Sequence, residues 1–294
     1  MSFTDFSDVV SHSVSGDLLL GSGMKLTTVP IDLLPKTSWW KLFIDKKHHK
    51  NANACLLFDR QQSKGFHAVM MRVFKVELGS CMALGERLNY AAYHRIYLAV
   101  STDVGGIANR GPSGTDAPNG ATHFPTDLIP GQGAINELVQ EGVSYWNIPA
   151  NQERKVPNAK VSLMVTGMSG WRIYVGYKMA EGPALADQLF DRYYNEMALA
   201  AGNARQQLFA IVRLIRALHV YHFFQDANGR LNTMVILNKL LTENGFPPSI
   251  VSNPAIFGGG RTLQQLFDDV HDGMRPVLRE MEAQLRLGYL DLAT

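Results

Sequence analysis

The sequence predicts a mainly α fold, in which a helical core with a β-hairpin flap is preceded by an N-terminal α+β region. Apolar residues recur at intervals of three and four along residues 203–221 and again along residues 231–241, which is typical of two helices with one buried face each. Within residues 163–177, two β-branched and aromatic segments flank a Gly-Met-Ser-Gly turn, which predicts the hairpin.

The N-terminal region, residues 1–150, has weaker signals, and we predict that it is separate from a C-terminal domain of residues 151–294. Residues 66–78 are apolar and β-branched, which predicts a strand, whereas residues 82–100 predict a helix. Residues 101–129 are rich in Gly, Pro, Asn and Asp and predict a long loop, which could gate the site, contact the target or be a mobile insertion. The region could serve targeting or substrate recognition.

The connection between the two helices of the core, residues 222–230, reads His-Phe-Phe-Gln-Asp-Ala-Asn-Gly-Arg. It leads into a helix N-terminus, where unpaired backbone N–H groups bind anions. Gly229 permits close approach of a phosphate, and Arg230 adds a planar, permanently charged group. Asp226 is a hard oxygen ligand suited to Mg²⁺, and the His222 imidazole can accept a proton from a hydroxyl. This connection is therefore equipped to move a phosphorus-containing group.

The same nine residues resemble the signature of Fic domains, which transfer AMP or related phosphate-containing groups onto protein hydroxyls. The apolar helix before them and the Leu-Thr-Glu-Asn-Gly-Phe-Pro-Pro ending of the next helix, residues 241–248, are also similar to the family. Residues 162–177 lie where the family has its flap hairpin. The resemblance covers roughly residues 155–294, and Ala227 departs from it, since the family more often has glycine there.

The resemblance implies a role for each polar residue of the motif. His222 would be the general base that deprotonates a Ser, Thr or Tyr hydroxyl of a target protein, and Phe224 would anchor the loop. Asp226 would bind Mg²⁺. ATP or another nucleotide would be the donor, held by the residues that follow: Asn228, Gly229, Arg230 and Asn232.

Thr233 stands where the family usually has a second arginine, which generally contacts the terminal phosphate of a nucleoside triphosphate. The donor therefore stays open between ATP held by fewer contacts, another nucleotide and a diphosphate-linked metabolite. The Fic fold also supports kinase and phosphocholine-transfer variants, and a non-catalytic module that binds a nucleotide or a partner is a further alternative. A zinc site of His219, His222 and Asp226 would leave the Asn-Gly-Arg sequence without a role.

The flap has a predicted role of its own. An exposed hairpin edge can add a segment of a target protein as an extra strand, which would present the target hydroxyl to His222. The residues predicted to dock the target in this way are Trp171, Arg172, Ile173 and Tyr174. The alternative is an ordinary surface hairpin.

Composition limits the partners and the location. The 294 residues include 28 basic and 26 acidic residues, a net charge of +2, so neither nucleic acid nor a membrane is indicated as a partner. The apolar run at residues 18–20 is too short for a membrane span, and no cleavable signal peptide is evident. We therefore expect a protein of the cytoplasm, or one secreted into a host-cell cytosol. The resemblance, a divergent N-terminal half and the lack of the family's inhibitory Ser/Thr-x-x-x-Glu-Gly/Asn pattern together describe a bacterial effector or toxin.

Overall fold

The computed structural model describes residues 31–61, 63–79, 86–106, 111–113, 122–126, 131–148, 159–166 and 170–292, and these are mainly helical, as predicted. Short 3-10 helices fill several connections. The longer elements are, in chain order, α1 (Leu57–Gln61), α2 (Phe66–Glu77), α3 (Tyr90–Ser101), β1 (Thr122–Thr126), α4 (Gln132–Gln140), β2 (Ser144–Ile148), β3 (Val161–Thr166), β4 (Gly170–Val175), α5 (Gly182–Leu199), α6 (Ala204–Tyr221), a π-helix (Arg230–Ile236), α7 (Leu237–Glu243) and α8 (Leu263–Leu292).

The strand predicted for residues 66–78 is wrong, because these residues form helix α2. Its buried side chains recur at intervals of three and four: Phe66, Val69, Met70, Val73, Phe74 and Glu77. Over so few residues a period of two and a period of 3.6 fit the same apolar composition, and the helical period wins here because it gathers the largest side chains on one face. Among its described residues, the N-terminal region thus contributes helices α1 to α4 and strands β1 and β2.

Helix α3 confirms the later part of the helix predicted for residues 82–100, while residues 82–85 lie outside the described residues. The helix begins at Tyr90, because the side chain of Asn89 accepts a hydrogen bond from the backbone N–H of Ala92 at 2.9 Å and so caps it. The loop predicted for residues 101–129 contains strand β1, which the sequence does not predict.

The strands of the described residues form one mixed sheet of four, in the order β1-β4-β3-β2. The predicted hairpin is confirmed: β3 and β4 pair antiparallel, from Val161 opposite Val175 to Thr166 opposite Gly170. Strand β1 covers the other side of β4 along its length, with Thr122 opposite Val175. The outer strands of this sheet are therefore β1 and β2.

Helix α6 and the helical segment after the motif form the centre of the C-terminal half. Asn203 caps α6 by accepting a hydrogen bond from the N–H of Gln206 at 3.0 Å. The next helical segment begins as a π-helix, in which the N–H of Leu237 bonds to the carbonyl of Asn232, and continues as α7. The chain leaves α7 through Gly245, whose φ of 76° is the left-handed conformation expected after a helix end.

A buried ion cluster ties α4 to α6. The fully buried Arg216 places Nη1 2.6 Å from Oε2 of Glu137 and Nη2 2.8 Å from Oε1 of Glu141. Oε2 of Glu137 also accepts a hydrogen bond from the N–H of Leu263 at 2.8 Å, at the start of α8. Arg216 and Glu137 therefore connect α4, α6 and the start of α8.

One hydrophobic cluster extends across the predicted division at residue 150. It includes Phe66 and Tyr93 from the N-terminal region and Leu218, Phe224 and Leu237 from the C-terminal half. The division into two domains stays a prediction. Among the described helices, none combines the length and the apolar character of a membrane-spanning segment.

Candidate functional site

The predicted connection folds as a tight loop with two left-handed residues. His222 directly follows the end of α6 with a φ of 52°, and its N–H donates to the carbonyl of Leu218 at 3.2 Å. This conformation turns the chain out of the helix. Ala227 has a φ of 60°, which costs an alanine more than a glycine. This gives a physical reason for the glycine that the resemblance leads us to expect at that position.

His222 is partly buried, and its ring lies near that of His219, with 6.3 Å between the ring centroids. Burial, reinforced by the neighbouring imidazole, lowers the pKa of His222 from 6.5 to about 3. The imidazole is therefore neutral at physiological pH, which is the form that accepts a proton.

The middle of the loop is braced by its own polar side chains. Asn228 is buried, and its side chain accepts a hydrogen bond from the N–H of Phe224 at 3.3 Å and donates one to the carbonyl of Phe224 at 2.5 Å. Phe224 is fully buried and stacks on Tyr97 of α3, with 3.8 Å between the ring centroids. Asp226 is half-buried, and its Oδ1 accepts a hydrogen bond from the N–H of Ala227 at 2.7 Å. The amide of Asn228 thus holds the shape of the loop that presents Asp226.

Arg230 extends from the start of the π-helix towards the N-terminal region. Its Nη2 donates to Oγ of Ser63 at 2.8 Å, and its guanidinium carbon lies 4.6 Å from the ring centroid of Phe66. Its Nη1 is buried and has no hydrogen-bond partner among the described residues. Burial lowers the pKa of Arg230, while the charge of Asp226 acts in the opposite direction. This part of the site therefore has a cationic donor with unused capacity.

The side chains of Asn232 and Thr233 do not share the surroundings of residues 226–230. Asn232 is fully buried and accepts a hydrogen bond from the Tyr93 hydroxyl at 2.7 Å, so its side chain is engaged in the core. Thr233 is buried, and its hydroxyl donates to the carbonyl of Gly229 at 2.6 Å. The structure thus brings His222 and residues 226–230 together in one loop, with the Asn232 side chain set apart from them.

A segment that we name the strap, residues 111–113, runs beside the motif. The N–H of Ser113 donates to the carbonyl of Phe223 at 2.8 Å, and the N–H of Gln225 donates to the carbonyl of Gly111 at 3.2 Å. The strap belongs to the loop predicted for residues 101–129. Part of that loop therefore supports the backbone of the motif.

The residues predicted to dock a target need a correction. Ile173 and Tyr174 are buried and Arg172 is half-buried, while the side chain of Trp171 lies outside the described residues. Both sides of β4 already have partner strands, β1 and β3, so its edge cannot accept a target strand while β1 is in place. A target strand would have to add at an outer strand, β1 or β2, and in β1 Pro125 lacks an N–H group for pairing.

The metal-binding prediction rests on Asp226 alone. Within the described ranges, no group of three or more His, Cys, Asp or Glu side chains is placed to hold a metal ion. The zinc alternative of His219, His222 and Asp226 therefore has no support from the geometry.

Several residues of this site carry no local sequence signal. Ser63, Phe66 and Tyr97 reach the motif from the N-terminal region, and Ser63 and Arg230 are 167 positions apart in the sequence. A serine and two aromatic residues on helices are ordinary core residues in a sequence. The apolar face of α2, once assigned to a helix, is the one signal that could have placed Phe66 in the core.

The two neighbouring histidines make stability depend on pH. Burial lowers the pKa of His219 to about 4 and that of His222 to about 3, from 6.5 in each case. Above pH 6.5 both imidazoles are mostly neutral in the folded and in the unfolded protein, so their titration does not change the free energy of unfolding. Below pH 6.5 they bind protons in the unfolded chain, while they stay neutral in the folded protein. We expect each histidine to lower the free energy of unfolding by about 2 kcal/mol between pH 6.5 and pH 5.

A His219→Leu variant tests this expectation. Chemical denaturation at pH 7.5 and pH 5 should show a smaller loss on acidification in the variant than in the wild type, by about 2 kcal/mol. An equal loss in the two proteins would show that His219 is protonated in the folded state.

Known proteins offer a limited comparison. No protein-family model matches the chain. Over 64 residues the chain is 39% identical to phosphocholine transferase AnkX of Legionella pneumophila subsp. pneumophila. This match covers 22% of the chain and 7% of the length of AnkX, so the chain spans a small part of that protein. Over this stretch the chain is similar to a transferase.

Proposed function

We propose that this protein is a Fic-type transferase, which moves a phosphate-containing group from a nucleotide-linked donor to a hydroxyl of a target protein. The observation that supports this most directly is the composition of one loop. It holds a neutral imidazole at His222, a carboxylate at Asp226 and a guanidinium at Arg230 that has a buried, unused donor within the described part of the chain. The partial similarity to a phosphocholine transferase supports the same reaction class.

Phosphocholine is our first candidate for the transferred group. Thr233 is buried and its hydroxyl is bonded to the carbonyl of Gly229, so this position offers no positive charge to the terminal phosphate of a triphosphate. A phosphocholine donor needs one phosphoanhydride bond, as in a nucleoside diphosphate choline, and so has two phosphates rather than three. Fewer cationic contacts are needed to neutralise it. AnkX, which is a phosphocholine transferase, is consistent with this choice.

AMP transfer from ATP is the second candidate. The motif from His222 to Arg230 resembles that of AMP-transferring Fic domains at every position that we assigned a role, with Ala227 as its departure. The left-handed φ of Ala227 shows that alanine adopts the conformation for which a glycine would be suited. The loop geometry is therefore compatible with either donor.

In the proposed reaction, His222 accepts the proton of the target hydroxyl as the hydroxyl oxygen attacks the transferred phosphorus. The bond from that phosphorus to the oxygen of the leaving nucleotide breaks, and the oxygen departs with the electron pair. Arg230 binds the phosphate oxygens and neutralises the charge that develops on the leaving group. The anionic donor beside the imidazole would raise the pKa of His222 towards the range of an effective general base.

Asp226 is the residue that would hold Mg²⁺. A single half-buried carboxylate cannot form a metal cage, but Mg²⁺ commonly binds through one or two carboxylates together with the phosphates of a substrate. Asp226, next to the anion-binding Arg230, fits an ion that enters with the donor. When bound, the ion would supply further charge neutralisation on the phosphates.

The experiment is mass spectrometry of a cell lysate incubated with the protein, Mg²⁺ and one donor at a time, either a nucleoside diphosphate choline or ATP. We expect a phosphocholine adduct on a Ser, Thr or Tyr side chain, which is absent when the protein is omitted. An AMP adduct would show that the second candidate, AMP transfer from ATP, is the reaction, and would overturn phosphocholine transfer. No adduct with any donor, together with measurable donor binding, would contradict catalysis and favour a nucleotide-binding module.

A further inference from the structure

The side chain of Arg230 is held by residues that belong to the N-terminal half. Its Nη2 donates to the hydroxyl oxygen of Ser63 at 2.8 Å, and the ring of Phe66 lies beneath the guanidinium, 4.6 Å from ring centroid to guanidinium carbon. A hydrogen bond on one edge and a cation–π contact on the face together fix the plane of the group. Ser63 and Phe66 therefore determine the direction in which the other N–H groups of the Arg230 guanidinium point.

Ser63 is itself fixed. Its N–H donates to the carbonyl of Phe58 at 2.9 Å, its carbonyl accepts from the N–H of Phe66 at 2.9 Å, and the residue is 9% exposed. Its hydroxyl oxygen accepts a hydrogen bond from Arg230, and a hydroxyl group also carries one hydrogen of its own to donate. Among the residues that the structure describes, no acceptor takes that hydrogen.

The guanidinium group also has an unused donor. Nη1 of Arg230 is buried and without a hydrogen-bond partner, and no carboxylate within the described ranges forms a salt bridge with this side chain. A buried N–H donor without a hydrogen-bond partner is costly, so an anion is expected to accept a hydrogen bond from Nη1. Arg230 and Ser63 thus offer two donors at one place.

We propose that Ser63 is a positioning residue of the donor site, which orients Arg230 and donates its own hydroxyl hydrogen to the same phosphate of a diphosphate-linked donor. This inference rests on the proposed function. In this chain the neutral hydroxyl of Ser63 adds the extra phosphate contact, while position 233 carries a buried threonine. The N-terminal half therefore supplies part of the donor site.

The test compares Ser63→Ala with Ser63→Thr in the full chain. Ser63→Ala is expected to raise the KM for a nucleoside diphosphate choline by about tenfold, as is usual for a hydrogen bond to a charged group, while kcat changes less than threefold. Ser63→Thr keeps a hydroxyl and is expected to restore most of the affinity. Ser38→Ala is the matched control, because Ser38 is also a buried serine of the N-terminal half, and its hydroxyl bonds to Glu280 and Lys41 instead of a motif residue.

Inorganic pyrophosphate gives a second readout that needs no turnover. Calorimetric titration is expected to show about tenfold weaker pyrophosphate binding in Ser63→Ala than in wild type and in Ser38→Ala. Equal KM and equal pyrophosphate affinity in Ser63→Ala and wild type would overturn the role of Ser63, even if the wild type transfers its group normally. A wild type that binds pyrophosphate through Ser63 but labels no target would overturn the proposed function and keep this site.

Discussion

Replacing His222 by asparagine is expected to slow group transfer by about 10²- to 10⁴-fold, the usual result of removing a general base. Asparagine removes the ring nitrogen that would accept the proton of the target hydroxyl. It also tolerates the left-handed backbone at this position, where φ is 52°, better than alanine does. The fold should therefore survive the change. The measurement is the initial rate of target labelling at saturating donor.

His219→Gln is the control for this experiment. His219 is a partly buried imidazole of the same helix end and also has a lowered pKa, so its loss reproduces the local disturbance without removing the proposed base. We expect this variant to keep most of the wild-type rate. A wild-type rate in His222→Asn would rule out His222 as the base, and equal losses in the two variants would point to a structural effect.

Replacing Arg216 by alanine is expected to lower the free energy of unfolding by about 3–5 kcal/mol, because Glu137 loses its ion pair and Glu141 keeps only Arg213, whose Nε lies 3.5 Å from Oε1. The side chain is fully buried and holds Glu137 at 2.6 Å and Glu141 at 2.8 Å. Without it, the contact of Glu137 with the start of α8 is also weakened. Chemical denaturation of the variant and the wild type measures the difference.

Arg192→Ala is the matched control for the buried cluster. Arg192 forms an ion pair with Glu196, one helical turn away on α5, at 3.8 Å, and its side chain is 37% exposed. Such a pair contributes about 0.3–0.5 kcal/mol, so its removal should be almost silent. If Arg216→Ala cost as little as Arg192→Ala, the buried cluster would not hold α4, α6 and α8 together.

Local patterns predicted the elements that carry the motif. The apolar stripe of residues 203–221 corresponds to α6, and the two predicted hairpin strands correspond to β3 and β4. Both patterns lie within a short stretch of sequence, so they can be recognised without any information on contacts between distant residues. The strand predicted for residues 66–78 was wrong because a short, mainly apolar segment fits a period of two and a period of 3.6 about equally well.

The surroundings of the motif could not be predicted in the same way. Nothing near Asn232 shows that its side chain lies under the Tyr93 hydroxyl, and nothing near Arg230 indicates Ser63. Strand β1 arises in a segment whose composition favours turns, because it pairs with β4 across a large separation in sequence. Pairings of this kind depend on the assembled fold, and propensity carries little information about them.

The strap and the aromatic stack on Phe224 bear on how such a protein can be inherited. Recombination exchanges contiguous stretches of a gene, and an exchange near residue 150 would deliver the nine-residue signature without Gly111, Ser63 and Tyr97. The recipient would have the chemical groups without the residues that orient them. We therefore expect the two halves of this chain to have been inherited together. We also expect the nine-residue signature not to function when it is transferred without residues 63–113.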